Sequence, residues 1–215
     1  NLIDKYLGDN SWQSGRKNVT PEFQINTTEN KEIFTPKDNA VQAAIRMGKV
    51  LFTKHHPDYL KMKIVTTLLG GYFGSRLMKK VREEKGYTYG INAILLSLVN
   101  EGYFVIVSEV GSKVCRKAID AIKQEIKRLR EEKTGEAELE MVKNYMMGEL
   151  LRSFDGPLPT SNSYLSILEN QVNENYFSQL FKEINNITAS EIMELANKYL
   201  NEEEMILSIA GQCEE

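Results

Sequence analysis

The chain has 215 residues, of which 41% are hydrophobic and 27% charged, and its formal net charge is −3. This composition is typical of a globular protein with enough apolar residues for a core, folded as one large domain or two small ones. The slightly negative charge argues against nucleic-acid binding, which favours a basic stripe. No apolar run is long enough to span a bilayer, and the first residues lack the basic and apolar regions of a signal peptide. We therefore expect neither a nucleic-acid-binding protein nor a membrane-spanning one.

The first 36 residues differ in pattern from the rest of the chain. Apolar residues at helical spacing predict a short amphipathic helix over Asn1–Asp9. The polar segment Ser11–Pro36 predicts an extended connector with one or two edge strands. We therefore divide the chain into an N-terminal helix and connector, residues 1–36, and a folded domain, residues 37–215.

A strand and a helix are predicted at the start of this domain. Apolar residues alternate with residues of the opposite face from Val41 to Met47, which predicts a strand with one buried face. Pro57 and Asp58 suit the first turn of a helix, where proline lacks a needed donor anyway and a negative charge is favourable. The apolar side of this helix consists of Tyr59, Met62, Ile64, Val65, Leu68 and Leu69.

The segment Leu68–Tyr89, with the sequence LLGGYFGSRLMKKVREEKGYTY, is the most distinctive part of the chain. Its glycines interrupt the helix, because glycine permits a positive φ or a close approach of backbones. Ser75 is the predicted N-cap of a second helix, which has a strongly basic face. The interrupting glycines are Gly70, Gly71 and Gly74, and the basic residues are Arg76, Lys79, Lys80, Arg82 and Lys85.

The second helix of this segment ends close to the start of a strand. Gly86 suits the position just after the helix, where a left-handed backbone is common, and residues 87–89 have strand propensity. Arg82 therefore lies in the last helical turn and Tyr89 at the beginning of the strand. One tight turn between them can direct both side chains to the same place. On these residues alone, we interpret the pair as a helix-end arginine and a half-buried tyrosine.

The remaining elements complete an α+β pattern. The predicted elements are a hairpin of Tyr89–Leu98 and Gly102–Val110, two long helices separated at Thr134–Glu136, a break at Asp155–Pro159, two or three further helices, and a strand at Met205–Ala210. The last helix begins with a capping box from Thr188 to Glu191. This order predicts a two-layer sandwich, in which helices pack on one face of an antiparallel or mixed sheet.

Few residues of the chain are suited to bind a metal or act as a nucleophile. The side chains of His55 and His56 diverge because they are adjacent, and no His-x-x-Glu-His sequence is present, so we predict no zinc site in this chain. Cys115 lies near a helix start, but no base is evident beside it. Cys115 and Cys213 lack metal-ligand spacing and are interpreted as free thiols, which slightly favours a reducing compartment.

The segment Leu68–Tyr89 resembles the LGG-x-FGSRL…REE-x-G-x-x-Y segment in the second half of pitrilysin-type zinc peptidases. This insulinase family includes insulin-degrading enzyme and the mitochondrial processing peptidase. The resemblance extends over roughly Val41–Gln212, so it covers a domain and not only one motif. It implies the two-layer α+β fold of the non-zinc, C-terminal half, while zinc would be bound by an inverted His-x-x-Glu-His helix in the other half.

The resemblance also reverses the interpretation of the Arg82–Tyr89 pair. In such enzymes the equivalent residues face the scissile peptide, which implies catalytic and substrate-binding roles for Arg82 and Tyr89. It further implies that Gly70 and Gly71 contribute to substrate binding. Tyr87 occupies a position that is usually bulky and apolar in this family, so Tyr89 is the preferred tyrosine.

Two functions follow as hypotheses. The first is the non-zinc half of a zinc metalloendopeptidase, inactive alone, that encloses peptide substrates in a chamber together with a homologous His-x-x-Glu-His-bearing half. That half would belong to the same polypeptide or to a partner subunit. The second is a catalytically inactive binding or scaffold subunit of the same family. The compartment is not assigned by the sequence; the bacterial cytoplasm is favoured and the periplasm left open.

Overall fold

The computed structural model describes residues 5, 6, 8 and 28–214. The helix predicted over Asn1–Asp9 and most of the predicted connector lie outside these residues. The end of the connector is described, and it contains the edge strand that was predicted there. The division of the chain at residues 36 and 37 stays a prediction, although this edge strand pairs with the last strand of the domain.

A five-stranded mixed sheet forms one layer of the fold. Its strands are β1 (Glu32–Pro36), β2 (Gln42–Leu51), β3 (Thr88–Ser97), β4 (Gly102–Gly111) and β5 (Ile206–Gly211). Their order in the sheet is β1-β5-β2-β4-β3. The pair β1–β5 is parallel, whereas β5–β2, β2–β4 and β4–β3 are antiparallel. The predicted hairpin is the β3–β4 pair, closed by a hydrogen bond from the Leu98 amide to the Glu101 carbonyl (2.8 Å).

Helices form the second layer. They are α1 (Tyr59–Thr66), α2 (Cys115–Glu131), α3 (Glu136–Arg152), α4 (Pro157–Asn170), α5 (Tyr176–Asn186) and α6 (Ala189–Tyr199). Helix α1 continues as a π-helical turn over Thr67–Gly71, and a second π-helical segment covers Met78–Glu84. The capping box of α6 is confirmed, because the Thr188 hydroxyl accepts from the Glu191 amide (3.2 Å) and the Glu191 carboxylate accepts from the Thr188 amide (2.9 Å).

The core lies between the sheet and the helices. Alternation along β2 buries Ala43, Ile45 and Met47, while Arg46 on the opposite face is exposed and pairs with Glu109 (2.9 Å). The buried strand residues join the apolar sides of the helices in one cluster. Strands β2 and β4 thus bury one face and leave the other towards solvent, as their period of two requires, whereas the edge strand β1 is exposed along its whole length. The predicted α+β sandwich, with a mixed sheet, is confirmed.

Asp58 does not play its predicted part in the first turn of α1. The helix begins at Tyr59, and Asp58 is its N-cap residue without a side-chain cap hydrogen bond. Instead, the Asp58 carboxylate accepts from the Tyr199 hydroxyl (2.5 Å) and from Lys198 Nζ (2.8 Å) at the end of α6. Hydrogen bonds from Lys198 and Tyr199 lower the pKa of Asp58 below its ordinary value. This cluster joins the start of α1 to the end of α6.

The interpretation of the two cysteines as free thiols is wrong. Cys115 and Cys213 form a disulfide, with Cα atoms 5.3 Å apart across a sequence separation of 98 residues. The two meet because the segment after β5 returns to the start of α2, where the Glu214 amide donates to the Ser112 carbonyl (3.1 Å). Sequence separation gives no sign of this proximity. The argument for a reducing compartment loses its basis, since stable disulfides favour oxidising compartments.

Candidate active site

Gly70 allows helix α1 and its continuation to approach strand β3 closely. It is buried, and a Cβ atom there would lie 2.6 Å from the Ala93 amide nitrogen and 2.7 Å from Ala93 Cβ. Such distances exclude any side chain unless the strand moves, because interiors are closely packed. Gly71 is exposed, and a Cβ atom there would have the Thr67 side chain as its nearest neighbour, at 3.2 Å. Gly70 therefore lets the π-helical turn at the end of α1 pack directly against β3.

Ser75 precedes the second helix of the site but does not cap it. The helical residues begin at Arg76, and the Ser75 hydroxyl is buried without a hydrogen-bond partner among the described residues. The predicted place of this helix start is correct, and the predicted side-chain cap is wrong. The hydroxyl is enclosed by the fold instead of being directed at the first amides.

Two of the five basic residues of this helix pair with carboxylates. Arg76 makes a bidentate ion pair with Glu138 of α3, at 2.8 Å and 2.9 Å, and Lys80 pairs with Glu84 at 2.8 Å. Arg82 makes no ion pair among the residues that the structure describes. Its guanidinium lies over the Phe73 ring, with Cζ 4.7 Å from the ring centroid. A stacked arginine keeps its planar donors available for a ligand, because stacking occupies only its face.

Gly86 ends this helix as predicted. Its φ of +64° is in the left-handed region, and its amide donates to the Arg82 carbonyl (3.1 Å). The Tyr87 amide donates to the Val81 carbonyl (3.0 Å), so the chain reverses within one turn and enters β3. These are the bonds of a glycine-terminated helix. They bring the last helical turn next to the first residues of the strand.

A β-bulge at the start of β3 presents Tyr89 to solvent. Thr88 is opposite Val110 and Ile91 is opposite Ser108, so three steps along β3 match two along β4. The Thr88 hydroxyl accepts from the Gly90 amide (3.1 Å) and from the Ser108 hydroxyl (3.0 Å), which holds the bulge in place. Bulges commonly redirect a side chain. Tyr89 is 90% exposed, and its hydroxyl has no hydrogen bond within the described part of the chain.

Arg82 and Tyr89 line one depression of about 540 Å³. Its other walls come from the start of β2, the end of β4, the turn before β3 and the turn before α2: Val41, Gln42, Gly86, Tyr87, Thr88, Gly111 and Val114. No carboxylate belongs to this lining, so Arg82 provides its only charge among the described residues. The depression therefore presents a guanidinium and a phenol, both hydrogen-bond donors suited to carbonyl or anionic oxygens.

The structure does not bring all four predicted site residues together. Gly70 is buried against Ala93 of β3 and does not line the depression of Arg82 and Tyr89, and Gly71 lines a different depression on the helix layer. Phe73, which supports Arg82, was not predicted. The sequence gives only a weak signal for it, an aromatic residue in the short segment between Gly71 and Gly74, and in the structure Phe73 is 63% exposed.

The two histidines have structural or surface positions. His55 is exposed, whereas His56 stacks on Phe52 with ring centroids 4.0 Å apart, and its Nδ1 accepts from the Asp58 amide (3.1 Å). Within residues 28–214, no group of three or more His, Cys, Asp or Glu side chains could hold a metal ion. The described residues thus do not fit a zinc site.

Residues 1–146 match the profile of a family described as the peptidase M16 inactive domain. This match covers more than half of the chain. The chain belongs to this family. The M16 domain is also 25% identical over 189 residues to a Bacillus subtilis protein named uncharacterized zinc protease YmxG, covering 85% of this chain and 43% of that protein. The family resemblance found in the sequence is confirmed.

Solved structures share the fold of this M16 domain. One is a peptidase M16 inactive domain from Pseudomonas fluorescens, with a TM-score of 0.75, 21% identity, and coverage of 85% of this chain and 43% of that one. Another is a protease from Helicobacter pylori, with a TM-score of 0.83, 14% identity, and coverage of 97% and 51%. The M16 domain thus spans about half the length of these relatives. Among its described residues, no helix has the length and apolar character needed to cross a membrane.

Proposed function

We propose that this M16 domain is the non-zinc half of a zinc-dependent metalloendopeptidase. In this proposal it forms one wall of a chamber that encloses a peptide, and a homologous His-x-x-Glu-His-bearing half forms the other. The zinc belongs to that second half, in the same polypeptide or in a partner subunit. Support comes from the family and from the coverage of only 43% of the Bacillus subtilis zinc protease, which leaves room for another half.

One observation assigns the proposed function to particular residues. Arg82 and Tyr89 line the same depression, and neither side chain pairs with a polar group in the described part of the chain. Two donors without partners at one surface are suited to a ligand that supplies acceptors. A peptide backbone supplies carbonyl oxygens. The proposed catalytic role of Tyr89 is to donate its phenolic hydrogen to the carbonyl oxygen that becomes negative during attack on the peptide bond.

Arg82 has the proposed role of binding substrate carbonyls or orienting the Tyr89 hydroxyl. Its guanidinium is held over Phe73, and a planar group so held can form several directed hydrogen bonds at once. A lysine cannot reproduce this geometry, so Arg82→Lys is expected to lower kcat/KM of the complete enzyme. For Gly71, the exposed backbone is available to a peptide, and for Gly70 the proposed contribution is to place the neighbouring backbone.

Reconstitution tests this proposal. The purified domain and the zinc-bearing half are mixed, association is followed by light scattering, and turnover is measured with a quenched fluorescent peptide. We expect each half alone to be inactive and the mixture to associate and cleave the peptide. If the two halves neither associate nor cleave, the proposal is wrong.

A binding or scaffold subunit is the second candidate. The absence of a metal-ligand group from the described residues is compatible with both functions. The two functions differ in what the partner carries. A partner with His-x-x-Glu-His that becomes active on mixing supports the enzyme. A partner without that sequence, bound with no turnover, supports the scaffold.

A further inference from the structure

A second depression, of about 330 Å³, lies on the helix layer and is lined by Lys63. Lys63 of helix α1 and Thr67 and Gly71 of its π-helical turn follow one another at a spacing of four residues, and all three contribute to the lining. Residues this far apart lie on one side of a helix. The opposite wall comes from helices α3 and α5: Tyr145, Met146, Glu149, Leu150, Ser153, Phe177 and Leu180. The depression therefore has an ammonium group on one side and, on the other, apolar side chains together with a phenol, a hydroxyl and one carboxylate.

The positive charge of Lys63 has no counterpart among the residues that the structure describes. Lys63 is half-buried, and its Nζ makes neither an ion pair nor a hydrogen bond there. Glu149 is the single carboxylate in the lining, and it pairs with Arg152 at 2.9 Å. Most other half-buried lysines of the chain behave differently: Lys61 pairs with Glu191 at 2.7 Å, and Lys54 donates to Ser166 Oγ at 3.2 Å.

Lys63 Nζ keeps some contact with solvent, but even partial desolvation disfavours the charged form of an ammonium without a partner. Burial, and then the charge of Lys54, lower the pKa of Lys63 below its ordinary value. A ligand that supplies a negative oxygen would remove this cost, since hydrogen bonds between ionised groups are the strong ones. Two of the three hydroxyls of the lining are already used: Thr67 donates to the Lys63 carbonyl (2.8 Å) and Ser153 to the Leu150 carbonyl (2.7 Å), whereas the Tyr145 hydroxyl makes no hydrogen bond among the described residues.

We propose that this depression is a binding site for a carboxylate carried by an apolar residue of a peptide. Lys63 Nζ binds the carboxylate, and Met146, Leu150, Phe177 and Leu180 contact the apolar side chain. One ammonium suits a singly charged carboxylate, whereas phosphate sites commonly combine arginines or several backbone amides. The volume is at the lower limit of ligand pockets and fits one or two residues. The choice of a peptide as the source of the carboxylate rests on the proposed function.

Isothermal titration calorimetry on the chain alone tests the site. The probes are acetyl-Leu-Phe with a free terminal carboxylate, the same peptide with a terminal amide, and acetyl-Phe-Glu-Leu amide, in which the only carboxylate is on a side chain. We expect the first or the third to bind and the amide control not to bind. The stronger of the two identifies a peptide C terminus or an acidic side chain as the source.

Lys63→Met removes the charge and keeps most of the side-chain volume. We expect it to weaken binding of the carboxylate probe about tenfold or more, the size typical of a lost charge-assisted hydrogen bond. Lys123→Met removes the same charge from an exposed position on α2 and should leave the affinity unchanged. Folding of both variants is checked by thermal unfolding, and Lys63→Met should be at least as stable as the original chain, because an unpaired charge is lost.

Equal affinity for carboxylate and amide probes, or unchanged binding by Lys63→Met, would overturn the proposal. This outcome is separate from failure of the proposed function, because no zinc-bearing half is present and no turnover is measured. Conversely, if the chain binds the carboxylate but never restores peptidase activity, the carboxylate site is supported and the proposed enzymatic role is refuted.

Discussion

Tyr89→Phe is the substitution that tests the proposed catalytic role most directly, because it removes one hydroxyl and keeps the ring. If this hydroxyl donates to the developing oxyanion, its loss acts on the transition state more than on the bound peptide. Loss of one such donor typically costs about 10²–10³-fold in kcat, or about 2.7–4 kcal/mol. We therefore expect kcat to fall by this factor while KM changes little.

The structure indicates that Tyr89→Phe will leave the stability of the fold nearly unchanged, so a fall in kcat will not be caused by unfolding. Tyr89 is 90% exposed, and its hydroxyl bonds to no group in the described part of the chain. Surface substitutions of this kind usually change the free energy of unfolding by no more than about 0.5 kcal/mol. A fall of 10²-fold or more would thus report the chemical step and not unfolding.

The assay uses the complete enzyme, assembled with its zinc-bearing half, and a quenched fluorescent peptide at several concentrations so that kcat and KM are separated. Tyr87→Phe is the matched control, because Tyr87 lies two residues earlier, lines the same depression and packs partly against the core. It should be nearly silent. If Tyr89→Phe keeps the original kcat/KM with the fold intact, Tyr89 has no catalytic role and the argument from the depression is refuted.

Three further predictions concern the stability of the fold. Gly70→Ala should lower the free energy of unfolding by about 1–3 kcal/mol, because its Cβ atom would lie 2.6 Å from a backbone nitrogen of β3. Gly148→Ala lies inside α3 with no atom within 4 Å of the added Cβ, so it should raise the free energy of unfolding by about 0.5–1 kcal/mol. Urea unfolding measures both variants, and equal effects would contradict the packing argument. Reducing the Cys115–Cys213 disulfide, which closes a loop across 98 residues, should destabilise the chain by up to about 4–5 kcal/mol in the chain-entropy model. Two reactive thiols in the untreated, denatured chain would show that no such bond forms. Asp58 has a pKa lowered by its partners in α6, so its contribution to stability is full above its ordinary pKa and is lost as the pH falls through the lower, folded pKa. Asp58→Asn should therefore flatten the acid side of the stability profile below about pH 4, and an unchanged profile would show that these contacts add nothing.

Local patterns in the sequence were sufficient for most of the fold. The alternation along β2, the capping box at Thr188 and Glu191, and the left-handed Gly86 were all predicted correctly. Each depends on residues within a few positions of one another, so side-chain periodicity and backbone preference decide the outcome. The place of Arg82 and Tyr89 in one depression is of the same kind, because a single tight turn connects them.

Only the tertiary structure decided the features that join distant parts of the chain. Cys115 meets Cys213 across 98 residues, and Asp58 meets Tyr199 across 141, which no local pattern reveals. The isolation of Lys63 is likewise a property of the packed helices, since a lysine at a helical position has ordinary propensity and its lack of a partner depends on what α3 and α5 place opposite it. Sequence patterns of this chain determined its elements and its family, and the packing of those elements determined which polar groups pair and which remain available to a ligand.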